Sequence, residues 1–547
     1  MKFTELTHRY LAHFIVEADT PLAIGSGEKG FTVDRIIVRD ALGLPYIPGS
    51  SLAGVLRNEL APSGKDEKIG QLFGYQLSSQ EVKSKAKRDQ TPPDKMQSGQ
   101  GSRLVISSGH LLGEDGKYVV EGLQSVDLSK GYYSYFTRLP ERDHVRMTHR
   151  GAADTKGHGK FDEELVHKGA RFAFRLELLG DPQDEGAWKH LLSLVHQPLF
   201  RIGAGTRKGF GKLRVVTCES RIFDLQQKAD LLSYLDLSSS LNAPRSGWNK
   251  EAIASKVTEG WAHYRLELKP QDFFLFAAGY GDEEVDNKPK TERYFNWDLG
   301  RPELKERDYL LIPATSVKGA LSHRVAWHYN CLVGNYINGK TETASLPQAD
   351  VDAIIASLPL PFDIDTLELS SDSPEWEKRQ TQIETLDLDS LLRDSTVWQD
   401  YEEQMAHYQR NYEPNKLPVG EANEAVKALF GFATTTDANK NDGQRGHVVL
   451  EDVYLKPEQV KEKIFSHVSI DRFTGGARDG MLFQQKVVSA ESFQLDIYVK
   501  AEALADEKIK TVWEAALNDL CYGNLPLGGS TAKGHGIFRG EFQLLTQ

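Results

Sequence analysis

Cysteine is scarce in this chain. Its 547 residues hold three, Cys218, Cys331 and Cys521, far apart and in no metal-binding or redox spacing. A reducing compartment is expected. Long apolar runs are missing too: none reaches membrane-spanning length, and the opening MKFTELTHRY has no apolar core, so a soluble, cytoplasmic protein is expected. The Walker pattern GxxxxGK[ST] is absent, which excludes that class of phosphate loop. Positive charge is not in excess either. The net charge is −12, weak evidence against a nucleic-acid protein. That deficit is local, because residues 341–403 hold sixteen acidic and three basic residues, a net of −13. The rest of the chain is close to neutral, and a basic groove elsewhere remains open.

What the chain has is an internal repeat. Ile47-Pro48-Gly49-Ser50-Ser51-Leu52-Ala53-Gly54 returns as Ile312-Pro313-Ala314-Thr315-Ser316-Val317-Lys318-Gly319. Leu72-Phe73-Gly74 returns as Leu429-Phe430-Gly431, and the stretch from His144 returns loosely from His467. RFAFRLEL from Arg171 matches SFQLDIYV from Ser492, and the loop from Ile202 to Gly211 matches Leu527 to Gly536. Colinear matches of this kind indicate two copies of one fold. The expected domains are 1–225, a linker over 226–260, and 261–547, with an acidic helical insertion at about 341–416 in the second copy.

Several stretches carry chemistry. Ile36 to Arg39 reads as a strand, and Gly49-Ser50-Ser51 opens a helix with a serine available as its cap. A helix start offers free N–H groups and partial positive charge, which suit a phosphate; a plain capped helix is the alternative. Asp34 lies just upstream. Residues 63–101 read as a polar loop broken only by the LFG. Residues 126–159 interleave Arg138, Arg142, His144, Arg146, His149 and Arg150 with Tyr132, Tyr133, Tyr135 and Phe136, a mixture suited to single-stranded nucleic acid. An exposed hairpin with ordinary arginines is the other reading. In GAGTRKGFGK, glycines let the backbone approach a ligand, and Arg207 and Lys208 add charge.

Together PYIPGSSLAGVLR, the LFG, the arginine-rich stretch and GAGTRKGFGKL resemble the RAMP superfamily of CRISPR proteins. They are most similar to the guide-RNA-lining backbone subunit of type III effector complexes. The resemblance covers both halves, as in the tandem fusions of type III-D-like variants. It implies an α+β chain of two RRM-like, ferredoxin-like (RAMP) domains, βαββαβ, each with a thumb-like hairpin insertion, the first at about 126–160.

The resemblance also implies roles. Ser50, Ser51 and Arg57 would hold guide-RNA phosphates, with Gly203, Gly205, Arg207 and Lys208 in the glycine loop. Arg142, Arg146 and Arg150 would belong to the thumb. Ser316, Lys318, Arg472 and Lys533 are the second-copy counterparts. Asp34 would be catalytic and a metal ligand, with Mg²⁺ or Mn²⁺ as cofactor and Asp40 as the family's second aspartate. In the second copy Val285-Asp286-Asn287 resembles the family's step, whereas Asp298 lies closer in spacing to the LIPATS helix. RNA supplies its own 2′-OH nucleophile, so cleavage needs charge stabilisation and a proton acceptor; His144, His149 and His158 are candidates for the latter. The implied partners are guide RNA (crRNA), single-stranded target RNA and other type III effector subunits. A non-catalytic RNA-binding subunit and a guide-processing endoribonuclease are the alternatives.

Overall fold

The computed structural model describes residues 6–31, 33–60, 67–77, 99–122, 126–148, 153–154, 159–253, 260–304, 308–335, 417–432 and 443–546. The chain divides into two compact units, Met1–Tyr329 with Val419–Gln547, and Asn330–Pro418. The helices expected in the acidic insertion lie outside the described residues. Among the described residues no helix is long and apolar enough to cross a membrane.

The first half is built on β1 (His8–Ala18), whose Tyr10, Phe14 and Val16 are buried at alternate positions. Helix α1 (Gly49–Leu60) buries Leu52 and Leu56, one turn apart, and α2 (Glu67–Phe73) ends in the LFG. Then come β2 (Leu104–Ile106), a hairpin of β3 (Glu141–Val145) and β4 (Lys160–Glu164), β5 (Arg171–Gly180), α3 (Glu185–Val195) and β6 (Leu213–Asp224). The sheet runs β6-β1-β5-β2, all antiparallel. With the hairpin set aside, the order is strand, helix, strand, strand, helix, strand.

The second half repeats this. Its central strand β7 (Trp261–Pro270) is followed by β8 (Thr291–Glu292), β9 (Tyr309–Ile312) and α4 (Ala314–Leu332). Next are α5 (Glu424–Phe430), β10 (Val448–Leu450), β11 (Val453–Leu455) and a longer hairpin, β12 (Val460–Ile470) with β13 (Ala477–Ala490). Last come β14 (Phe493–Lys500), α6 (Glu507–Cys521) and β15 (Phe538–Thr546). The sheet order β15-β7-β14-β10 matches that of the first half strand for strand. Each half has its own apolar core, centred on Phe14 and Trp188 in one and on Tyr264 and Trp513 in the other.

Three local expectations change. Ile36 to Arg39 is no strand: it makes single bridges, Gly25 to Ile37 and Arg39 to Pro45, while Ile37 N–H donates to the Glu164 carboxylate. The polar stretch after α1 contains α2 and is not all loop. The expected linker is partly built into the first half. Residues Lys228–Leu235 form a helix, Asn249–Lys250 pair with β6, and Arg245 and Asp230 form ion pairs with Glu219 and Arg221 of β6.

The halves are joined by an arm and a buried ion cluster. The connection from β8 to β9 carries Phe295, 2% exposed, into a ring nest of Tyr132, Phe136 and His167 in the first half. Trp297 follows, donating from Nε1 to Gly169 O at 2.8 Å beneath Arg171. Gly169 has φ +85°, and a Cβ there would lie 2.1 Å from Phe295 O, so only glycine lets the arm seat. Beside the arm, Arg142 reaches into the second half and pairs with Glu292 and Asp452.

Candidate nucleic-acid interface

Asp34 stands exposed on the loop beside β4. Its Oδ2 accepts Asp162 N–H at 3.2 Å, and Arg35 bridges Glu163 in parallel. Asp286 stands exposed beside β13. Its Oδ2 accepts Gln484 N–H at 2.7 Å, and Asn287 bridges Gln485 in parallel. The two aspartates therefore occupy one position in the repeat, and Val33 and Val285 before them are both buried. Asp298 sits on the arm instead, its carboxylate accepting from Asn296 Nδ2. The arm lengthens the second copy's connection, which is why spacing favoured Asp298 and geometry does not.

Around each aspartate the same side chains gather. His144 stacks on Phe161 at 4.7 Å, and Lys208 lies over that ring at 5.1 Å. His467 stacks on Phe483 at 4.7 Å, and Lys533 lies over that ring at 4.8 Å. The glycine loops superpose in their bonding. Ala204 N–H donates to Ala23 O and Gly529 N–H to Leu275 O, both at 2.7 Å. A Cβ on Gly203 or on Gly528 would lie 2.5 Å from those same carbonyls.

Between the halves lies a cleft of about 500 Å³. Arg207 and Lys208 of the first glycine loop face Lys318 of α4 and Arg445 across it. Arg207 donates to Gly446 O at 2.9 Å and lies over Trp261; Arg445 donates to Thr206 Oγ1 at 2.5 Å. Among the described residues no carboxylate forms an ion pair with any of the four cations. Burial, then Lys208 and Arg207, pulls Lys318 down to about 8. Burial, then Arg445 and Arg201, pulls Arg207 down to about 9. Glu59 also lines the cleft and Glu163 attracts Lys208, but four cations against these two acids leave the cleft net positive, which suits an anion. Arg445 and Trp261 escape sequence reasoning, because the fold brings them to the glycine loop from more than fifty residues away.

The remaining expected contacts divide. Ser50, Arg57, Ser316, Arg472 and Lys533 are exposed, and Ser51 is half-buried. Both serines of α1 lie within its first turn, after Pro48, whose carbonyl accepts the Ser51 and Leu52 amides. A Cβ on Gly49 would lie 2.5 Å from Ile106 O, so this glycine serves the close seating of α1 on β2. In the second half, the α4 start is already occupied: Ala314 N–H donates to Asp452 Oδ1 at 2.8 Å. Arg146 is exposed beside Asp154 at 3.6 Å. Gly205 lies at φ +67°. His149, Arg150 and His158 lie outside the described residues.

Four expectations are corrected. Arg142 is no RNA contact, because its guanidinium is buried and holds Glu292 and Asp452 at 2.5–2.7 Å. Tyr132 and Phe136 are no base-stacking platform, because they receive Phe295. Asp40 does not stand with Asp34, because its Oδ1 caps its own turn through Leu42 and Leu44 N–H. His144 is buried against Glu163, with Nε2 at 2.6 Å from Oε1, and is not an exposed proton carrier.

A family model described as the RAMP superfamily matches residues 15–214 and 298–539, most of the chain in two stretches. The chain belongs to the RAMP superfamily. The two matched stretches fall one in each half, so this RAMP protein carries the family's domain twice. A search of curated proteins found no match. Among the described residues of this RAMP protein, no group of three or more His, Cys, Asp or Glu side chains is arranged to hold a metal ion.

Proposed function

We propose that this RAMP protein is a double backbone subunit of a type III, III-D-like CRISPR effector complex in the cytoplasm. It binds guide RNA, pairs it with single-stranded target RNA beside other effector subunits, and cuts the target at two points. Each half is then an RRM-like, ferredoxin-like domain, and the β3–β4 and β12–β13 hairpins are the thumbs. The observation that carries the reading is the equivalent position of Asp34 and Asp286, each exposed and held by a hairpin amide.

The inter-half cleft supplies phosphate contacts through Arg207, Lys208, Lys318 and Arg445, joined by Ser50, Ser51, Arg57 and Ser316 on the helices. Arg146, Arg472 and Lys533 contact RNA from the hairpins and the second glycine loop. Asp34 lies close to a crowded pair: Asp143 faces Asp162 across the hairpin, and Asp143, with Asp34 adding to it, raises the Asp162 pKa. Such crowding suits a hydrated Mg²⁺ or Mn²⁺ held by one or two carboxylates and RNA phosphate oxygens, not an all-protein cage. When bound, the ion supplies charge stabilisation at the scissile phosphate. The chain's own work is to kink the RNA so that a 2′-OH lies in line with its phosphate, and to hold Asp34 or Asp286 beside it.

The test is a labelled complementary RNA with the assembled complex, resolved on a denaturing gel. Asp34→Ala is expected to remove one cut and Asp286→Ala the other, with guide and target binding retained, while Asp298→Ala keeps both. EDTA is expected to stop cleavage, and Mg²⁺ or Mn²⁺ to restore it. An unchanged pattern in both Asp34→Ala and Asp286→Ala returns the protein to a non-catalytic RNA-binding subunit.

A further inference from the structure

The two aspartate sites share one frame, but their buried partners differ. In the first half Glu163, 3% exposed, answers the local positive charge: His144 Nε2 lies 2.6 Å away, and Lys208 and Arg35 add attraction. In the second half the same β-bridge position holds Gln485, 2% exposed and neutral. His467 and Lys533 keep the places of His144 and Lys208, and His535 joins them. The lysine and the rings remain and the internal anion is gone.

The hydrogen bonds tell the same story. Gln485 Nε2 is buried without a hydrogen-bond partner; His467 Nε2 is too, as is its counterpart His144 Nε2 in the first half. An unsatisfied buried polar atom is costly, and the one on Gln485, at the position Glu163 holds in the first half, needs an explanation. Ser530 adds a third sign. It is the one non-glycine among the described residues with positive φ, at 59°, where the first half has Gly205. A non-glycine residue held in this region is strained and points to function. Its Oγ donates to Gln485 Oε1 at 3.3 Å, while the amide's NH₂ has no partner. Burial, Lys533 and His535 all depress the His467 pKa, so positive charge faces His467 from the glycine loop. Lys463, over Phe465, is a further cation on the same hairpin, and Asp286 is the nearby acid, committed to Gln484 N–H.

We propose that the second half carries an anion site formed by Gln485, His467, Lys533 and His535, which takes a phosphoryl group where the first half supplies Glu163. Gln485 donates from Nε2, Lys533 contributes full charge at the exposed side, and the two histidines line the seat. The first half cannot take the same ligand, because Glu163 already fills the charge position. The site stands on this side-chain chemistry and not on the guided-cleavage reading. Its ligand is a free phosphate or a phosphodiester of RNA.

The experiment uses the full chain with ¹³C-labelled histidine and follows the His467 and His535 ring signals. Two ligands are titrated separately: inorganic phosphate and a ten-nucleotide RNA. Saturable movement of both signals is expected, with an upward shift of the His467 titration. Lys533→Gln, at an exposed position, is expected to weaken this binding about tenfold. Gln485→Glu restores the first-half arrangement and is expected to abolish it. Movement with RNA but not with phosphate supports the site and assigns it to the RNA backbone; movement with both supports a seat open to free phosphate. Signals that stay still with either ligand, or that move equally in both variants, overturn the proposal. The guided-cleavage reading fails separately, by loss of guide RNA from the assembled complex while these signals still respond.

Discussion

Replacing Arg142 by alanine tests the junction most sharply. In the native chain its Nε and Nη2 hold Glu292 at 2.5 and 2.7 Å, and its Nη1 holds Asp452 at 2.6 Å. The side chains are 5%, 9% and 0% exposed, so water cannot replace the guanidinium when it is removed. Arg142→Ala leaves two carboxylates buried beside each other. Breaking a buried pair from one side costs about 3–5 kcal/mol. For a domain of this size that lowers Tm by about 10 °C. The triple variant Arg142→Ala, Glu292→Gln, Asp452→Asn removes the charges together and is expected to recover most of the loss.

The pH dependence of that variant follows from Asp452. Burial already raises its pKa in the native chain, while Arg142 holds Glu292 down. A carboxyl with a raised folded pKa contributes stability at low pH and loses it as pH rises through that value. Without Arg142 both carboxyls are raised, so the variant is expected to be closest to wild type near pH 5 and furthest from it near pH 8. The assay is urea unfolding at both pH values, with RNA retention measured well below Tm. Unchanged stability together with lost RNA retention would refute the structural role and return Arg142 to the RNA path.

Phe295→Ala is expected to cost about 3–5 kcal/mol by urea unfolding, because the ring fills the Tyr132–Phe136 nest and leaves a cavity. Arg207→Gln with Lys318→Gln is expected to weaken RNA retention for all sequences and to reduce the log–log salt slope by about 2, read by filter binding at several salt concentrations. Deleting residues 346–416 with a short Gly/Ser join is expected to leave both halves folded by circular dichroism and thermal melting, with loss of assembly with a neighbouring subunit; an insoluble product would place the segment in the core.

The sequence made the duplication legible because each repeated motif answers a backbone demand. Gly203 and Gly528 must pass a carbonyl at a distance no Cβ tolerates, and Gly74 and Gly431 both take positive φ after the Leu-Phe pair. Such demands leave letters behind. The direction of a charged side chain does not. Arg142 and Arg146 look alike as letters and lie four residues apart, yet Arg142 is buried within β3 while Arg146, just past the end of that strand, is exposed. The tyrosines of 132–136 read as a stacking surface for the same reason: their partner Phe295 lies far along the chain. Asp298 lies closer in spacing to the LIPATS helix than Asp286 because the arm lengthens that connection, and added length changes distance along the chain without moving the repeat position.

The arm also explains why two similar halves behave as one body. Had the connection from β8 to β9 been as short as the first half's turn at Asp40, the halves would meet without Phe295 and Trp297 between them. The ion pairs there, Arg142 with Glu292 and Arg201 with Glu451, are partly or fully buried, and such pairs give orientation more than net stability. Phe295 and Trp297 add the apolar burial that those pairs lack. Orientation from the charges and adhesion from the rings together hold the Asp34 and Asp286 loops in one fixed relation. If each aspartate cuts as proposed, the gap between the two cuts is a property of the junction and not of either aspartate. Phe295→Ala should therefore blur the interval between the two products while Asp34 and Asp286 stay intact. Sharp, unshifted products from a Phe295→Ala complex that has lost stability would show that the RNA, and not the junction, sets the interval.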